Sequence, residues 1–100
     1  MQEDIIVKVE IDNSGRLHVT PEKSKFTHIY RTATEVHWEN DKRSLYSPKP
    51  RDWSYLDWFL HIIGVARTEC LTELKVNGNT EWINITTELK NEITKAQQDL

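Results

Sequence analysis

The stretch Ile5-Ile6-Val7-Lys8-Val9-Glu10-Ile11-Asp12-Asn13-Ser14-Gly15-Arg16-Leu17-His18-Val19 decides the fold. Ile5, Val7, Val9 and Ile11 alternate with Lys8 and Glu10, the period of a strand with one face buried, and Ile6 is the exception. The connection fixes the pairing. With Asn13 and Ser14 in a type I turn and Gly15 left-handed, Asp12 faces Arg16, Ile11 faces Leu17 and Val9 faces Val19, so the apolar faces match. A four-residue loop would set Val9 against His18 and turn one apolar set outward, so the reading is a three-residue hairpin.

Working outward, Pro21 ends the second strand and a long alternation runs from Phe26 to Trp38. Phe26, His28, Tyr30, Thr32, Thr34, Val36 and Trp38 form its expected core face, with a bend or a kink near Arg31 to Thr34. A turn at Glu39-Asn40-Asp41-Lys42 leads to a short strand, Arg43 to Tyr46, completing an antiparallel meander of three to four strands. Ser47-Pro48-Lys49-Pro50-Arg51 is a stiff connector, since two prolines remove two amide donors. Ser54 then caps a helix with Asp57 at its third position and apolar residues from Tyr55 to Ala66 on more than one side. Asn77-Gly78 predicts a hairpin with Val76 facing Asn79, Thr72 facing Ile83 and Cys70 facing Ile85. Thr86 or Thr87 caps a last helix with a thin stripe of Leu89, Ile93, Ala96 and Leu100. The expected class is α+β, an antiparallel sheet of meander and hairpin strands with two helices, in one domain over residues 1–100.

Composition excludes several function classes. One hundred residues leave room for a single core. Cys70 is the only cysteine, so no internal disulfide forms, and the start Met1-Gln2-Glu3-Asp4 lacks the character of a signal peptide, which sets the expected location as cytoplasmic. No run approaches the roughly 18 apolar residues of a membrane span, and none is expected. Net charge is −3, against a general binder of phosphate backbones, so nucleic acid is not the expected partner. The charge is nonetheless segregated: residues 1–15 carry −3, residues 16–51 carry +4 and residues 52–100 carry −4.

Four chemical readings are open to these residues. Asp57 and His61 lie four apart on a helix, where a carboxylate can orient an imidazole; this is the alternative reading, a small hydrolase-like enzyme. Cys70 reads as a buried, inert thiol rather than a nucleophile. His18, His28, His37 and His61 show no zinc spacing, and three glycines supply neither a phosphate loop nor a dinucleotide fingerprint, so no metal or cofactor is expected. The favoured reading is a non-catalytic binding surface around residues 43–58, where Tyr46, Lys49, Arg51, Trp53 and Tyr55, with His61, supply the aromatic and cationic groups that dominate binding hot spots. Four tryptophans in so short a chain support it: Trp38 and Trp58 read as structural, while Trp53 and Trp82 are left over. The apolar girth of the first helix predicts a homodimer.

Gly15-Arg16-Leu17, Ile29-Tyr30-Arg31, Trp38, Leu45-Tyr46, Pro50-Arg51-Asp52-Trp53-Ser54-Tyr55, Trp58-Phe59, Thr80-Glu81-Trp82 and Asn84-Ile85 resemble a family of small bacterial proteins found among integron gene cassettes. Similar chains also resemble immunity-type proteins of bacterial toxin systems. The resemblance implies an accessory protein carried on mobile DNA, and it transfers no catalytic residue.

Overall fold

The first strand, β1 (Gln2–Ile11), and the second, β2 (Leu17–Pro21), pair antiparallel with Ile11 opposite Leu17 and Val9 opposite Val19, the register set by the turn. Gly15 takes φ +84, and its N–H donates to the Asp12 carbonyl at 3.0 Å. The chain is seen in a computed structural model that describes residues 1–27, 29 and 35–98. The exception at Ile6 has a cause. Between Ile6 and Lys8 the β1 register shifts against Pro21 and Thr20, a bulge that accommodates Val7. Asp4 and Ile6 are buried before it, and Val9 after it, so the inward face changes phase and Val7 is left 36% exposed.

The next strands are β3 (His37–Glu39) and β4 (Ser44–Tyr46), joined by a turn in which Arg43 has φ 55. They pair antiparallel, but β4 lies beside β2 and β3 is at the edge, giving β3-β4-β2-β1 rather than a meander of successive neighbours. Ser47 holds this arrangement: its N–H donates to the Leu17 carbonyl at 3.0 Å, and its hydroxyl accepts the Leu17 N–H at 3.2 Å. The long strand from Phe26 is also corrected. Among the described residues only its end is strand, and the Ile29 N–H closes a turn on the Phe26 carbonyl at 3.1 Å. That turn buries Phe26 and Ile29 together, which alternation would have set on opposite faces. The expectations for His28, Tyr30, Thr32, Thr34, a kink at 31–34 and Leu100 lie outside the described residues.

Helix α1 (Tyr55–Cys70) starts as the sequence requires. Ser54 caps it with φ −74 and ψ 168, accepting the Asp57 N–H, while the Asp57 carboxylate accepts the Ser54 N–H. Leu71, left-handed at φ 52, stops it. Trp58, Phe59, Ile62, Ile63, Val65 and Ala66 are buried. Its apolar girth is used inside the chain, because α1 packs on β2 and β5 and also against α2 (Thr87–Gln98). This breadth therefore does not require a second subunit. Helix α2 adds Leu89 and Ile93 to the core, and Thr86 caps it by accepting the Leu89 N–H at 3.1 Å.

The predicted second hairpin does not form. Strands β5 (Thr72–Lys75) and β6 (Glu81–Ile83) both run parallel to β1 along one edge, β5 on Gln2 to Ile5 and β6 on Lys8 to Glu10. Cys70 belongs to the helix, and the αL residue after it turns the chain directly onto β1. Asn77-Gly78 instead tips an excursion between the two strands, closed by the Thr80 N–H on the Asn77 carbonyl at 3.2 Å. The sheet is therefore mixed, six-stranded and part of an α+β fold. The Thr80 hydroxyl spans the gap, accepting the Asn77 N–H at 2.9 Å and donating to the Ile6 carbonyl at 2.7 Å. Thr80→Ala strands that carbonyl and should cost about 2 kcal/mol in urea melts, whereas Thr80→Ser, which keeps the hydroxyl, should cost under about 1 kcal/mol.

Candidate functional site

The connector and the first turns of α1 build a cleft of about 700 Å³. Pro48 fixes φ just before Lys49, and the Lys49 stem lies over Gly15, where an added β-carbon would sit 3.2 Å from its Cγ. Arg51 and Asp52 are exposed on the connector and line the same cleft. Trp53, immediately before the cap, has its ring centroid 4.8 Å from that of Trp58 and 5.1 Å from that of His61. Trp58 and His61 are three apart on α1 and meet edge to face at 5.5 Å. The three rings form one cluster, with Trp58 buried and Trp53 still 45% exposed.

Four of the six residues expected at a binding surface, Lys49, Arg51, Trp53 and His61, thus line one cleft. Tyr46 and Tyr55 do not. Tyr46 sits in a ladder of rings across β3, β4 and β2, 5.5 Å from His37 and 5.3 Å from His18, with the Arg16 guanidinium 5.2 Å from its centroid. Tyr55 ties α1 to the first turn, its hydroxyl donating to the Gly15 carbonyl at 2.9 Å. Burial and then the nearby Asp12 carboxylate raise the Tyr55 phenol above its ordinary range. Trp58, read from the sequence as structural within that cluster, also reaches the cleft, as does Glu35. The spacing of Trp58 from His61 carried that signal. Glu35 had none, since it is delivered by backbone in the left-handed region at φ 65.

The chemistry of the other candidates is decided locally. The Asp57 carboxylate closes the capping box, its Oδ2 accepting the Ser54 N–H at 3.1 Å, so helix capping accounts for its place in the sequence. Cys70 is half-buried, and burial followed by the charge of Glu69 pushes its thiol up, away from the reactive thiolate. Among the described residues no group of three or more His, Cys, Asp or Glu is placed to hold a metal ion, and no helix is long and apolar enough to cross a membrane.

A buried polar centre lies beneath the hairpin. Asp12 Oδ1 accepts the N–H groups of Ser14 and Arg16, both at 2.9 Å, and Oδ2 lies 2.7 Å from His18 Nε2. A carboxylate only accepts, so Nε2 carries the proton, and Nδ1 pairs with the Ser44 hydroxyl at 2.8 Å. Burial opposes ionisation of Asp12, but the His18 hydrogen bond and the two amides outweigh it and lower the carboxyl to about 2. This centre braces the hairpin against β4 and shares no residue with the cleft lining.

No curated protein matches the sequence. A solved structure, the integron cassette protein Hfx_Cass5 from the mobile metagenome of the North West Arm sewage outfall, is 44% identical over 98% of this chain and 98% of that one, with a TM-score of 0.50. The family model for integron cassette protein Hfx_Cass5 matches residues 4–80, the span that holds the hairpin, the connector and all of α1. On this match and the near full-length identity, the chain belongs to the Hfx_Cass5 integron cassette protein family.

Proposed function

We propose that this is a non-catalytic binding protein of bacterial accessory type, acting in the cytoplasm, that takes a ligand or a side chain of a protein partner in the cleft at the start of α1. One observation carries the reading: Trp53 is held against two rings yet keeps 45% of its surface exposed at the cleft mouth. A fixed, half-exposed indole offers contact area at little entropic cost, as binding anchors do. The cleft volume falls within the range of roughly 300–1,000 Å³ that accommodates small ligands. Its walls carry Lys49 and Arg51 against Glu35 and Asp52, so the occupant this cleft suits has a flat apolar part and polar groups of both kinds.

The test is a fragment screen by NMR on the full chain. Wild type should yield flat polar fragments that shift the Trp53, Trp58 and His61 ring signals, and Trp53→Ala with Arg51→Ala should weaken those hits by about tenfold or more. Hits that ignore these rings, or that survive the double substitution unchanged, would overturn the proposal.

A further inference from the structure

We infer that a second cavity, between α2 and the excursion joining β5 to β6, binds a small aromatic carboxylate. The cavity has a volume of about 400 Å³ and shares no lining residue with the first cleft, so it stands independently of it. Its charged lining is Lys75 and Lys90, and no carboxylate lines it among the described residues. That is a departure from its surroundings, because residues 52–100 carry a net charge of −4. A cavity lined by two ammonium groups in an acidic segment selects for an anion.

The flat part of the ligand is set by Trp82. Its indole lines the cavity, half-buried, and Lys90 Nζ stands 5.8 Å from the ring centroid. An aromatic acid would lay its ring on the indole and bring its carboxylate to Lys90, forming a charge-assisted hydrogen bond in place of a distant cation–π contact. Lys75 is available from the other wall, since its pair with Glu3 is long at 4.0 Å and exposed. The wall between them is already ordered. Gln97 Oε1 accepts the Val76 N–H at 2.8 Å, and its Nε2 reaches the Leu74 carbonyl at 3.4 Å, so binding requires no rearrangement of this side chain.

The probe is 1-naphthoate, titrated into the full chain at fixed ionic strength and followed by amide shifts. Shifts should centre on residues 75–82 and 90–97, with Kd below about 1 mM, and neutral 1-naphthamide should bind about tenfold more weakly. Lys90→Gln, at an exposed helix position, should weaken naphthoate by about fivefold or more while leaving naphthamide unchanged. Trp82→Leu should weaken both probes, and Trp53→Ala should affect neither. Equal binding of acid and amide, no loss in Lys90→Gln, shifts that map to Trp53 and His61 instead, or no binding would each overturn the proposal.

Discussion

Asp12→Ala should lower the unfolding free energy by about 3 kcal/mol at neutral pH, because it removes a charged acceptor from three donors at once. The Ser14 and Arg16 amides lose the side chain that organises their turn, and His18, only 1% exposed, loses its partner at Nε2. Asp12→Asn keeps one carbonyl for the amides and should lose about half as much. The pH dependence follows from the Asp12 carboxyl lying at about 2 in the fold, below its ordinary value of 3.8. The unfolded chain takes up this proton first, so the contribution is full above about pH 4 and is lost as pH falls toward 2, amounting to roughly 2 kcal/mol. Urea melts at pH 7 and at pH 3 check both parts. Wild type should weaken on acidification by more than either variant, and melts of wild type and Asp12→Ala that coincide at pH 7 would refute the role.

The larger expected loss is in the second turn of α1. Phe59 heads the fully buried side chains by volume and sits on the helix that packs against β2, β5 and α2. Phe59→Ala should cost about 4 kcal/mol, since rigid neighbours on several sides cannot close the cavity, and the better helix propensity of alanine returns only about 0.5 kcal/mol. For a chain of this size that corresponds to a fall in Tm of about 20 °C by calorimetry. Phe59→Leu keeps most of the volume and should cost under about 2 kcal/mol. Leu60→Ala, one residue on at a position 39% exposed, serves as the contrast and should cost less than about 1 kcal/mol. If Leu60→Ala were the more damaging change, the inward face of α1 would be wrongly assigned.

What the sequence made legible was governed by distance along the chain. The first hairpin and the cap of α1 depend on residues within four or five positions: Gly15 supplies the left-handed turn, and Ser54 with Asp57 closes the helix start. Asn77-Gly78 misled because its flanking segments have a stronger partner far away in sequence, the outer edge of β1. Alternation from Phe26 onward failed for a similar reason, since the turn at Phe26 and Ile29 serves the core rather than a ladder. In the cleft, Lys49, Arg51, Trp53 and His61 were visible because one stiff connector and one helix carry them all. Tyr46 and Tyr55 belong to the same stretch of sequence, but the Arg16 guanidinium and the Gly15 carbonyl claim them, both in the first turn. Only the tertiary fold reveals that claim.

The double use of the β1 edge also sets an order of assembly. As the chain is synthesised, β1 can close on β2 once the first turn has emerged, but its other edge stays open until residues 72–83 follow. Parallel pairing across some seventy positions incurs its loop-closure cost before any contact rewards it, so this step belongs late in folding. Until then β1 presents unpaired backbone, the kind of edge on which neighbouring chains aggregate. β1 thus emerges well before the two strands that complete it.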